Sequence, residues 1–581
     1  MRTTFHASEN SSQKTLLWNP RHCSAAKLRT SLGEVSERPR IFRARRIVTL
    51  DSGMPFAEAV AVLEGRVLHS GSFADVSADL AGRNPIVDDS FVDKVIVPGF
   101  VEAHCHMLEE GSLSAFPWVG AYARRAADGT TKPGCPTLAA ALDLMRGADA
   151  ALADPNEILV CLGWDPNMAG GEQITADVLD RVSNTRPIFV LHSNGHLGVC
   201  NSALMALANI TRERSEEGVM RGSDGEPNGE LRELALTLVL GKHVHLELDP
   251  AEAAVNASVL ARQVGCTTVT DLAFGATDRM VTKYGEVVER DDVPMRVVYA
   301  PFVQTLNARY GDDTFAHITS LAGRGSDKFR MGPVKFIFDG SIQGRSARMN
   351  WPGYCCGDPN GMWFADPDEM FDMMAPYHRA GFQLALHTNG DEAIDRGIDV
   401  YERLLLDTPR FDHRHRLEHA QLATDHAFRR MKSLGLCVNL FANHIYYWGE
   451  THREHTAGPA RARKLDACGT AKRLGVPFSI HCDAPVTPLD PLFTMWCAVN
   501  RITSAGRVLG ESECIDAESA LRAATLDAAF LLKIDDRVGS IESGKYADFA
   551  VLDDDPLSVD PSGLKDIGVA ASVIAGVAHA N

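Results

Sequence analysis

Apolar and polar positions follow two different rhythms along this chain. Towards the N-terminus, Ile47-Val48-Thr49-Leu50, Ala57–Leu63 and Arg66–Ser70 are short apolar runs, with Glu64-Gly65 as a tight turn between two of them. Such runs, bounded by turn residues, predict strands. Lys94-Val95-Ile96-Val97-Pro98-Gly99-Phe100 adds an apolar strand running into a turn. The C-terminal end repeats the pattern. Arg537–Ile541, Ala547–Leu552 and Ala570–Ile574 predict strands, broken by Glu542-Ser543-Gly544. Chain ends often lie close together. Residues 41–98 and 537–581 are therefore expected to form one small β-sandwich domain.

The middle of the chain alternates. Continuous apolar runs, each followed by a helix-like segment, occur at Val95–Val101, Thr267–Leu272, Met295–Tyr299, Val334–Phe338, Gln383–Leu386, Arg416–Glu418, Cys437–Phe441 and Pro477–Ile480. Continuous apolar strands separated by helices imply parallel strands covered on both faces. Eight such units is the number that closes a (β/α)8, TIM-like barrel, which puts reactive residues at the C-terminal strand ends. The predicted fold class is α/β, with the barrel in residues 99–106 and 265–536. The interval from Met107 to Cys266, about 160 residues, is too long for a structureless loop. It holds strand-like Ile158–Leu162 and Pro187–His192 and helix-like Thr137–Leu152 and Ala251–Val264. Residues 107–264 are read as an α/β insert over the barrel mouth.

Composition narrows the class without changing it. Apolar residues at 45% and charged residues at 23% fit a core-forming globular protein. Lys+Arg 58 against Asp+Glu 76 gives 58 − 76 = −18. That balance disfavours nucleic acid as a partner, because phosphate backbones are repelled. The 13 Cys are too sparse for a disulfide scaffold. No apolar stretch reaches about 18 residues, so no membrane span is expected. The first 40 residues are basic and Ser-rich, and the expectation preferred over a transit peptide is a disordered extension. The default location is cytoplasmic. The default assembly is a homodimer, the commonest soluble oligomer.

The polar residues that end the barrel runs carry the chemistry. His104 and His106 follow Phe100-Val101-Glu102-Ala103. Positions i and i+2 of a strand share a face, so both imidazoles can reach one metal ion. Lys335 interrupts an apolar run, where a snorkelling Lys is the plainer reading. Other runs end at His387, at Glu418-His419 and at His481-Cys482-Asp483. Singly, each is more often a hydrogen-bonded structural residue. Together they set three kinds of ligand at corresponding strand ends.

These residues resemble the amidohydrolase superfamily, in the subgroup called amidohydrolase family 3, the N-substituted formamide deformylase-like metal-dependent hydrolases. The likeness is carried by Val97-Pro98-Gly99-Phe100-Val101-Glu102-Ala103-His104-Cys105-His106, Val334-Lys335-Phe336 with Phe338-Asp339-Gly340-Ser341, and His387-Thr388-Asn389-Gly390-Asp391. Glu418-His419-Ala420-Gln421, Asp483-Ala484-Pro485-Val486 and the tail from Gly539 to Asp548 complete it. The resemblance spans about Ile41 to Ile574. It implies His104 and His106 as ligands of one metal, Lys335 as a carboxylated bridge, His387 and His419 as ligands of a second, and Asp483 as ligand and base. Where the family has Ser before that Asp, this chain has Cys482, preceded by His481. His481 shares a strand face with Asp483 and either perturbs it or adds a ligand.

The implied cofactor is Zn2+, as one or two ions, with iron or manganese as alternatives for this donor set. The expected reaction is hydrolysis of a C–N bond in a small amide, formamide or cyclic amide. Deamination, ester hydrolysis or decarboxylation on the same metal site are alternatives, and a non-catalytic scaffold is ranked last because all six ligand positions are filled. Candidate substrate contacts are Trp164, Asp165, His192, His196, Asp339, Arg345, His444 and His481. Several have a structural alternative: Trp164 as packing, His192, His196 and His444 as loop residues, and Arg345 as the ion-pair partner of Asp339.

Overall fold

The computed structural model describes residues 38–193, 195, 197–246 and 249–581, with the backbone alone at 233 and 234. Almost all of the basic first 40 residues, and the candidate His196, lie outside the described residues.

Both ends of the described chain enter one seven-stranded sheet. Its order is Val577–Ala580, Val569–Ile574, Phe549–Leu552, Ile86–Pro98, Arg40–Val48, Phe56–Leu63 and Arg66–Gly71. In hydrogen bonding it is one sheet, where two facing sheets were expected. Register shifts between Arg43 and Ile47 bend it, as bulges do. Phe42, Ile47, Val60, Ile96, Phe549 and Val573 share one buried cluster of this sheet. Ile41, Ala59 and Ala61 pack in another against Val76 and Leu80 of the helix Phe73–Leu80. Arg537–Ile541 is not a strand. Arg537 and Val538 N–H groups bond back to Ile534 O in a turn, and Gly539 takes φ +93° against Thr525 and Leu526.

The predicted first barrel run divides at Gly99. Val95–Pro98 belongs to the terminal sheet, pairing with Leu552–Phe549. Phe100–Glu102 pairs in parallel with Cys266–Phe274. A Cβ at Gly99 would sit 2.1 Å from Thr267 Oγ1, so only glycine lets the strands approach this closely.

The alternating region forms two parallel sheets. One runs Phe329–Met331, Arg296–Pro301, Cys266–Phe274, Phe100–Glu102. The other runs Val334–Ile337, Leu384–Thr388, Arg416–His419, Cys437–Leu440, Phe478–Ile480. A parallel bridge between Phe302 and Lys335 links them. Gly332-Pro333 separates the first strand of each sheet, and Pro333 has no N–H to donate. Helices between the strands carry local start signals: Thr424 caps Asp425–Leu434, and Asp366 with Glu369 forms a capping box before Pro367–Arg379. Their apolar faces and the strands share the largest buried cluster.

The insert has its own five-stranded sheet, Val219–Arg221, Pro227–Arg232, Leu197–Cys200, Ile188–His192, Leu159–Trp164, with a buried cluster on each side. Helix Leu138–Ala151 begins at its Thr137 cap. Pro250–Gln263, read from sequence as the end of the insert, packs elsewhere. Its Ala254, Ala257, Leu260 and Ala261 join the core of the parallel strands.

Candidate metal centre

The C-terminal ends of the parallel strands converge on a cavity of about 250 Å³. His104, His106, Lys335, His387, His419 and Asp483 all line it. Asp483 Oδ1 lies 3.3 Å from both His104 Nε2 and His106 Nε2, and its Oδ2 lies 3.9 Å from His419 Nδ1. His419 Nε2 is 3.0 Å from His387 Nδ1. The six residues come from five parallel strands, Lys335 from within its strand and the others from at or just beyond the C-terminal ends, and parallel packing brings them to one side.

Backbone strain is concentrated here. His419, Ala420 and Asp483 have φ of 64°, 46° and 54°, a region non-glycine residues rarely enter. Ala420 N–H is anchored by Thr388 O and Glu418 O, both at 2.8 Å. The turn sends the His419 and Asp483 side chains into the cavity instead of along the strand.

A buried polar layer supports these groups. Glu418, fully buried, accepts from His104 Nδ1 at 2.7 Å and from Asn439 Nδ2 at 3.2 Å. Its other oxygen pairs with Arg416 Nε at 2.6 Å. Ser479 Oγ in turn donates to Asn439 Oδ1 at 2.7 Å. A carboxylate on Nδ1 fixes the His104 tautomer, leaving the Nε2 lone pair for the cavity.

Electrostatics set the protonation states. Burial, with the Lys335 charge adding to it, holds His104 well below the usual imidazole value. Burial and His387 do the same to His419. Burial alone would lower His106, but the Asp483 carboxylate outweighs it and raises its pKa. Burial alone would raise Asp483, but the hydrogen bond and charge of His106 bring it below the ordinary value. Burial lowers Lys335 to about 8.

The donor set fits a metal ion. His419 Nδ1 and both His481 ring nitrogens are buried without a hydrogen-bond partner among the described residues, and Asp483 Oδ1 meets only the ring nitrogens of His104 and His106. Neutral imidazoles and an ionised carboxylate are ligands for first-row transition ions. Two groups, His104–His106–Asp483 and His104–His419–His481, each present ligand atoms within 4.8 Å of one another.

The substrate-contact expectations fare differently. His192 lines the cavity, and burial lowers its pKa to about 4. Trp164 is fully buried in an insert core. Asp165 is buried and accepts from Trp448 Nε1, Ser193 Oγ and Asn167. His444 Nε2 lies 2.9 Å from Gln421 Nε2, its ring packed on Phe441 and Trp448. His481 is fully buried and is not a lining residue.

Asp339 and Arg345 lie apart from each other's charge. Asp339, expected as a substrate contact, is not among the residues that line the cavity. It is fully buried, its Oδ1 accepting from Asn389 N–H and its Oδ2 from Arg348 and Gly390 N–H, so it clamps two loops together. Arg345 does not pair with Asp339. It turns outward, half-exposed, to Asp358 at 2.9 Å.

Several lining residues escaped the sequence reading. Glu109 faces the cavity from the helix Met107–Leu113, one turn after His106, and the i, i+3 spacing is its signal. Arg124 and Lys132 sit opposite each other in a two-stranded ribbon, Arg124–Arg125 with Thr131–Lys132. Asp128-Gly129 between them is a hairpin signal. Arg124 forms a buried ion pair with Glu110, and Lys132 Nζ donates to Ser114 O and Phe116 O.

With this geometry in place, comparison with known proteins assigns the class. Residues 93–578 match the model of the amidohydrolase family. The chain belongs to the amidohydrolase family. It is 28% identical to an N-substituted formamide deformylase of Arthrobacter pascens over 546 residues, covering 91% of this chain and 96% of that one. It is 27% identical to the protein LONG AFTER FAR-RED 3 of Arabidopsis thaliana, covering 87% and 85%. Among solved structures, an uncharacterized metal-dependent hydrolase from Pyrococcus horikoshii OT3 superposes with a TM-score of 0.70 at 19% identity, covering 90% of this chain and 99% of that one. Among the described residues, no helix is long and apolar enough to cross a membrane.

Proposed function

We propose that this protein is a metal-dependent hydrolase that adds water across the C–N bond of a small amide, formamide or cyclic amide. The observation that carries the reading is the cluster of His104, His106, Lys335, His387, His419 and Asp483 facing one cavity of about 250 Å³. The likeness to an N-substituted formamide deformylase supports the bond type. The nine parallel strands become eight when Phe329–Met331 and Val334–Ile337 are taken as one strand broken at Gly332-Pro333. That is the count of a (β/α)8 barrel, with the insert over its mouth.

His104, His106 and Asp483 would hold one ion, and His387 and His419 a second, with zinc the ion that best suits this set. When bound, such an ion lowers the pKa of its water from about 15.7 to about 7 and polarises a substrate carbonyl. Lys335 is fitted for carboxylation: at about 8 its amine has a neutral fraction at neutral pH that can add to carbon dioxide, releasing a proton. The resulting carbamate turns a buried cation into an anionic ligand. Asp483 takes the proton from water and hands it to the leaving nitrogen. Its depressed pKa keeps it ionised and ready to accept. Glu418 fixes the His104 ring, and the insert wall, with His192, Phe116 and Trp118, limits access of bulk water.

A screen of N-formyl, N-acyl, cyclic amide and ester compounds tests this reading, run on wild type and Asp483→Asn. Hydrolysis of an amide-type substrate that the variant loses, with its fold intact by circular dichroism, is the expected result. Turnover of esters alone would reject the C–N assignment, and an unimpaired Asp483→Asn would remove Asp483 as the base.

A further inference from the structure

His481 has no part in the reaction as described, yet it lies at the heart of the centre. It follows the strand Phe478–Ile480 and stands two residues before Asp483. It is fully buried. Its ring stacks on His104 at 4.6 Å and 14°, and on Phe441 at 4.8 Å and 27°. His419 is 5.0 Å away, centroid to centroid.

Neither ring nitrogen of His481 has a hydrogen-bond partner among the described residues. A neutral imidazole carries one N–H and one lone pair, and leaving a buried polar group unmet costs about 1–3 kcal/mol. Packing alone does not explain the residue, since an apolar side chain would fill the space without that penalty. His419 Nδ1 is likewise unmet. Glu418 occupies His104 Nδ1 and so directs its Nε2 away from the carboxylate. His104, His419 and His481 each offer a ring nitrogen within 4.8 Å of the others.

We propose that His481 is a metal ligand, and that His104, His419 and His481 form an inner binding position for a divalent transition-metal ion. All three of its donors are imidazoles, and the Asp483 carboxylate reaches only its edge, 3.3 Å from His104 Nε2 and 3.9 Å from His419 Nδ1. It therefore favours ions that accept imidazole, such as zinc or cobalt, over magnesium or calcium. The inference rests on the metal-centre reading above. It does not depend on which bond is cleaved.

The test uses the full-length protein stripped of metal and titrated with Co2+. His481→Phe keeps an aromatic ring in the stack and removes both nitrogens. The expected result is Co2+ affinity at least about tenfold weaker, with shifted visible d–d bands. Unchanged affinity and an unchanged spectrum would overturn the proposal. X-ray absorption on wild type loaded with one equivalent of Co2+ decides the matter without any variant. Three imidazoles around the ion support the inner position, and two imidazoles with oxygen ligands reject it. Metal binding of this kind in a protein that hydrolyses no amide would retire the hydrolase reading and leave this inference standing.

Discussion

Glu418→Gln is the substitution whose consequences the structure defines most fully. The side chain keeps its volume, but the negative charge and one acceptor oxygen are lost. In wild type one oxygen accepts from His104 Nδ1 and the other pairs with Arg416 Nε, and all three residues are essentially excluded from solvent. Arg416 also donates from Nη2 to Ala103 O at 3.0 Å. The glutamine must choose. If its oxygen faces Arg416, its NH2 faces His104 and forces the imidazole proton onto Nε2, where it blocks a ligand position. If its oxygen faces His104, its NH2 opposes a buried guanidinium. Removing one partner of a buried ion pair costs about 3–5 kcal/mol, and the retained volume and acceptor place this case near about 3 kcal/mol. Loss of a residue that orients a ligand weakens metal affinity by about 10–100-fold. Urea unfolding of the metal-free protein measures the first effect, and chelator competition in the native buffer measures the second. Stability within about 0.5 kcal/mol of wild type, together with unchanged metal affinity, would refute the reasoning.

Two further outcomes follow from the same structure. Asp339→Asn removes one acceptor from a carboxylate that holds three backbone N–H groups, so stability should fall by about 1–3 kcal/mol while KM is unmoved; a raised KM at full stability would return Asp339 to the substrate. His452 is buried, and burial lowers its pKa to about 3, against 6.5 when exposed. Its contribution is thus present above pH 6.5 and lost as the pH falls towards 3, at up to about 1.4 kcal/mol per pH unit. Urea unfolding at several pH values should show wild type losing stability relative to His452→Phe below pH 6.5, and parallel profiles would contradict the assignment.

The candidate ligands were legible because a parallel sheet converts sequence position into geometry. His104, His106, His387, His419 and Asp483 each end an apolar run, and such runs end on one side of the molecule. Lys335 announced itself as a charge inside Val334-Lys335-Phe336, where burial is otherwise apolar. Other features depend on partners distant in the chain. Nothing near Asp339 tells that its carboxylate will meet N–H groups at positions 348, 389 and 390. Val95–Val101 reads as one strand, and only the closeness of Thr267 to Gly99 divides it between two sheets. Arg537–Ile541 has the apolar content of a strand, but Val538 is drawn into the core with Ala528, Ala529 and Tyr546. The cavity wall was missed because Arg124 and Lys132 look like ordinary surface charge until the hairpin folds back over the strand ends.

On the proposed reading, these six side chains hold a metal on which hydrolysis depends. Metal analysis of the purified protein, paired with turnover before and after chelation, tests it most directly. The expected result is bound metal in stoichiometric amount, loss of turnover when a chelator removes it, and recovery when Zn2+ is restored. Full turnover by protein shown to be free of metal would contradict it.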